Sequence, residues 1–91
     1  MTATLALPPR LDMAAAGQLL DDLRRLRGQP IAIDCSAVAL LGAAALEVLL
    51  SAAGTWRRDG IALVCVAPSP DFLRDLAALG AADALPTNGA P

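Results

Sequence analysis

Apolar and polar positions along this chain change period several times, and each change marks an element. Thr2 to Leu7 is a short apolar run cut off by Pro8 and Pro9, which lack amide hydrogens, and it predicts an opening strand. Beyond Asp12, a candidate N-cap, Ala16, Leu19, Leu20, Leu23 and Leu26 recur at helical spacing. Gln18, Asp21, Asp22, Arg24 and Arg25 take the other face, and Gly28 closes this first helix. Pro30 to Asp34 is a compact apolar run of the kind a strand buried on both faces produces.

Ser36 and a connection containing Gly42 lead into Ala43 to Arg58, a run of helix formers long enough for about four turns. Asp59-Gly60 predicts a turn. Ile61 to Val66 is a third apolar, partly β-branched strand, bounded by Pro68. Ser69 as N-cap, Pro70 at the first helical position and Asp71 in the first turn open a third helix. Its apolar face is Phe72, Leu73, Leu76 and Leu79, and Gly80 stops it. Pro86 to Pro91 has no periodicity and is expected to be a flexible C-terminal tail. The order β-α-β-α-β-α predicts an α/β fold over residues 1–85, a single domain with a small, mostly parallel or mixed sheet and helices packed on it.

Composition narrows the function. A chain of 91 residues, 56% hydrophobic with one Trp, one Phe and no Tyr, builds one modest aliphatic core. Seven Arg, no Lys and nine acids give a net charge of −2 with no basic stripe, which excludes nucleic acid as the expected partner. Met1 to Arg10 lacks the pattern of a secretion signal and no apolar run reaches membrane-spanning length, so a cytoplasmic protein without direct membrane insertion is expected.

Catalytic chemistry has little to work with. The sequence contains no His, so Ser-His and Cys-His nucleophiles and the usual zinc sets lose their base or ligand, and no metal or cofactor is expected. Asp21 and Asp22 stand three and four residues from Arg24 and Arg25, and Asp71 and Asp75 flank Arg74, as on solvated helix faces. Gly42, Gly54 and Gly60 match neither a P-loop nor a dinucleotide fingerprint. Cys35 and Cys65, outside any CxxC motif, read as core residues, with a thiol-dependent enzyme as the weaker alternative. The second helix is unusual: Glu47, Ser51, Thr55 and Arg58 make one narrow polar line among Ala, Leu and Val. Apolar surface is therefore left over at its leading end, where a docking face is expected.

The run Ile31-Ala-Ile-Asp-Cys-Ser-Ala-Val-Ala-Leu-Leu-Gly-Ala-Ala-Ala-Leu-Glu-Val-Leu-Leu50 resembles the centre of the STAS domain, the fold of bacterial anti-sigma factor antagonists. Asp34, Cys35, Ser36, Ala37 and Val38 match a strand end of the form Asp-hydrophobic-Ser-Gly-Val. Gly60 to Val66 matches a Gly-led strand, and Pro68, Ser69 and Pro70 a Pro-Ser-Pro helix start, before a Leu-x-x-x-Gly ending. The resemblance spans residues 3–85. The family's Asp-Ser-x-Gly phosphorylation loop falls on Gly42, Ala43, Ala44 and Ala45, which puts Ala43 at the phosphorylatable Ser.

The resemblance implies a non-catalytic adaptor in bacterial signalling, antagonist-like or chemotaxis-associated, without that phosphorylation switch. The implied partner is a protein: an anti-sigma-like kinase, a chemotaxis component or, in the alternative reading, the ATPase of a lipid-transport ABC complex of which the chain is a small subunit. A homodimer is also compatible. The expected partner-binding residues are Val38, Leu40, Leu41, Gly42, Ala43, Ala44, Glu47, Val48 and Ser51.

Overall fold

The computed structural model of the chain describes residues 2–88. Strands β1 (Ala3–Ala6), β3 (Ile31–Asp34), β5 (Leu63–Val66) and β6 (Thr87–Asn88) form one sheet in the order β1-β3-β5-β6, parallel throughout. A second, two-stranded parallel sheet pairs β2 (Arg10–Leu11) with β4 (Leu40–Leu41). Helices α1 (Met13–Leu26), α2 (Ala43–Asp59) and α3 (Pro70–Ala78) occupy the places the apolar spacing predicts.

Local chemistry sets the helix limits. The Asp12 carboxylate accepts the Ala15 amide at 3.0 Å and the Ser69 hydroxyl accepts that of Phe72 at 3.0 Å, each satisfying a donor with no intrahelical partner. At the end of α2, Gly60 sits at φ 70° and donates to the carbonyls of Trp56 and Arg57, a left-handed cap that a Cβ disfavours. The buried indole of Trp56 donates to the Gln29 carbonyl at 2.8 Å, tying this end of α2 to the loop before β3.

All three helices contribute to one core. Leu19 and Leu23 of α1, Leu46, Leu49 and Trp56 of α2, and Phe72 and Leu76 of α3 join Ile31, Ile33, Leu63 and Cys65 of the sheet in a single buried cluster. Strands β3 and β5 alternate: Ile31, Ile33, Leu63 and Cys65 are buried, whereas Ala32, Asp34, Val64 and Val66 are half-buried. The expectation of burial on both faces is thus corrected. The three helices supply one packed face, and small or β-branched residues make the other face apolar in sequence without covering it.

Three further expectations change. Leu20 and Leu79, placed on buried helix faces by spacing, are 36% and 44% exposed, because each lies at the margin of its apolar stripe. Asp75, read as part of a solvated face, is half-buried and bonded to β4. The segment from Pro86 is not a free tail over its first residues. The Cys65 amide donates to the Pro86 carbonyl at 2.8 Å and that of Ala67 to the Asn88 carbonyl at 2.9 Å. Backbone pairing alone closes this edge of β5, and it needs no apolar side chain to signal it. Residues 89–91 of the expected tail lie outside the described residues.

A candidate docking face at the start of the second helix

The loop into α2 is fastened along its whole length. Its five consecutive amides from Val38 to Gly42 all donate: Val38 to the Cys35 carbonyl, Ala39 and Leu40 to Pro9, Leu41 to the Asp75 carboxylate at 2.9 Å, and Gly42 to Leu11. The Ser69 hydroxyl also donates to the Val38 carbonyl at 2.5 Å. Three chain segments, residues 9–11, 35–42 and 69–75, therefore hold one another in a fixed arrangement. A surface built on such a loop is pre-organised and loses little freedom on binding.

Gly42 starts α2 without a side-chain cap, in contrast to Asp12 at the start of α1. Its backbone is ordinary, at φ −81°, but a Cβ there would lie 2.7 Å from the Leu11 carbonyl oxygen. Only glycine lets β2 and the start of α2 approach this closely.

The nine expected contact residues divide by burial. Leu40, Ala43, Glu47 and Ser51 are exposed, and Gly42, Ala44 and Val48 are half-buried. Most of them are small or apolar, and Glu47 is the one charged residue among them. Val38 and Leu41, at 2% and 3% exposure, belong to the core and support that surface from beneath, so their place in a contact list is corrected. Spacing within one segment did not reveal Asp75 and Ser69, which position the loop from α3; their N-cap and helix patterns were visible, but their partners lie 34 and 31 residues away.

Several of the remaining charged groups pair in ordinary ways. Arg25 pairs with Asp22, Arg74 with Asp71 at 2.7 Å and with Asp75 at 3.4 Å, and Arg27 with Asp59 at 3.2 Å. The Asp34 carboxylate accepts the Ser36 amide at 2.9 Å, which holds its pKa below the usual aspartate value. Cys35 and Cys65 are fully buried; the Cys35 thiol donates to the Ile33 carbonyl at 3.5 Å, and the neighbouring Cys65 side chain, and then burial, push it up, away from the reactive thiolate. Among the described residues no three His, Cys, Asp or Glu side chains gather as a metal site, and no helix is long and apolar enough to cross a membrane.

A parallel sheet with helices packed on one face, a fixed loop and a small, mostly apolar surface at a helix start make up this end of the molecule. A family model described as "Mlab, STAS domain" matches residues 1–87, and the chain belongs to the STAS domain family. No curated protein matches it.

Proposed function

We propose that this chain is a non-catalytic cytoplasmic STAS adaptor that docks a partner protein through the face formed by Leu40, Ala43, Ala44, Glu47 and Val48. The observation that carries the proposal is the fastened Val38–Gly42 loop, which sets exposed Leu40 beside the small apolar residues and Glu47 at the start of α2. Membership of a family of interaction domains supports it.

Gly42, Ala43, Ala44 and Ala45 offer no hydroxyl. A phosphate at the start of α2 would place about two negative charges beside Glu47 and on the docking surface. Without an acceptor the face is constant, and regulation falls to the abundance, competition or modification of the partner. We place the adaptor in bacterial signalling, opposite an anti-sigma-like kinase or a chemotaxis component.

A second reading follows from the same missing hydroxyl. A face that is never switched also suits permanent residence in a complex, such as a small STAS subunit on the ATPase of a lipid-transport ABC system. Co-purification from the native host separates the two. Recovery of a kinase or receptor supports signalling, recovery of an ATPase with its permease supports transport, and a strictly monomeric chain that binds neither contradicts both.

A further inference from the structure

The two long helices lie side by side and point the same way. Their starts meet where Gly42 packs on Leu11 and Asp12, and their ends meet where Arg27 pairs with Asp59. Between them runs a shallow groove with a cavity of about 110 Å³, floored by Leu23, Ala52 and Trp56 and flanked by Leu20 and Val48. Leu20 is 36% exposed, so the groove opens directly to solvent.

Gly17 precedes Leu20 by three residues on the same stripe of α1. It is exposed, and nothing lies within 4 Å of where a Cβ would stand. The fold gains nothing from glycine here, since alanine is the better helix former and meets no obstacle. Its absent side chain does leave room for another backbone to come close.

Charge gives the groove a direction. The chain is net −2, yet the end of the groove at the helix C-termini is basic: Arg24 lines it together with Arg27, whose charge Asp59 offsets, and Arg58 reaches Thr55 at 3.4 Å. Among the described residues Arg24 makes no ion pair. Glu47 stands on α2 toward the opposite end.

We propose, resting on the docking reading above, that this groove receives an amphipathic helix of the partner, antiparallel to α1 and α2. Leu- or Phe-type side chains, three and four residues apart, lie over Leu20 and Val48, and carboxylates of the partner helix's first turn meet Arg24. The polarity follows from electrostatics, because acids are favoured in the first turn of a helix and the basic end of the groove is where α1 and α2 finish. A second copy of this chain is a poor occupant. Its own helix with an acid in the first turn, α3, directs Phe72 and Leu76 into its core.

The test is selection of helical peptides of about 15 residues, randomised along one face, against the full chain. Enrichment of an acidic first turn followed by Leu or Phe at this spacing is expected, with NMR shift changes at Leu20, Arg24 and Val48. Arg24→Glu should weaken an enriched peptide by at least about tenfold, and a charge-reversed peptide should recover it. Gly17→Leu should weaken it similarly while Gly17→Ala does not, with the NMR spectrum of each variant reporting that it folds. The proposal is overturned by enrichment without acids, by shift changes confined to Leu40–Ala44, by no enrichment over an Arg24→Glu control, or by a dimer that Leu20→Glu dissociates. A native partner lost with Ala43→Glu but kept with Arg24→Glu removes the groove and leaves the docking reading; a partner kept by both removes the reading itself.

Discussion

Gly42 is constrained by space and not by conformation. Its φ of −81° suits any residue, but the Leu11 carbonyl oxygen 2.7 Å from the position of a Cβ belongs to backbone that is itself bonded to the Gly42 amide. Neither side yields cheaply, so Gly42→Ala is expected to destabilise the fold by about 1–3 kcal/mol, measured by urea unfolding. An unchanged midpoint would show that the start of α2 gives way more easily than its hydrogen bonds suggest. Cys35 and Cys65 present the opposite situation, two small side chains that fit without strain and are sealed from solvent. Thiol labelling of the folded chain is expected to be slow at both and to become fast on unfolding. Rapid labelling of either in the native state would revive a thiol-dependent activity.

Among the elements, the short strand β4 leads into the proposed docking face, and α3 holds β4. The Asp75 carboxylate takes the Leu41 amide, so Asp75→Ala leaves a part-buried donor unpaired and should cost about 1–3 kcal/mol, while Asp75→Asn keeps an acceptor oxygen and most of the stability. Equal losses in the two variants, measured by thermal or urea unfolding, would assign the effect to charge rather than to the hydrogen bond. Elements of this kind mark the limit of what a sequence discloses. The three helices and the longer strands announce themselves by period, and the caps made by Asp12, Ser69 and Gly60 act on residues within four positions, so their patterns were legible. Paired strands of two residues, such as β2 and β4, are too short to show a period. β6 is held by backbone atoms alone, and Asp75 acts across 34 residues, which leaves no local trace.

At the scale of the molecule, one packed layer of helices on one face of a sheet puts the starts of α1 and α2 next to each other and next to the fastened loop. The apolar composition that made α2 unusual is mostly consumed by the core: Ala45, Leu46, Leu49, Ala52 and Ala53 are buried. What remains is the leading end, and the proposed docking face rests on its location rather than its size. The resemblance in the central segment pointed to this end; burial removes Val38 and Leu41 from the surface and leaves Leu40, Gly42, Ala43, Ala44, Glu47, Val48 and Ser51. The most direct test is the affinity of the co-purified partner for the wild-type chain and for Ala43→Glu and Val48→Glu, with Thr4→Glu on the other side of the sheet as a control. Each substitution at the face should weaken binding by at least about tenfold, since a charge is added where the interface is dry, and the control should not. Full affinity in both Ala43→Glu and Val48→Glu would contradict docking through the start of α2.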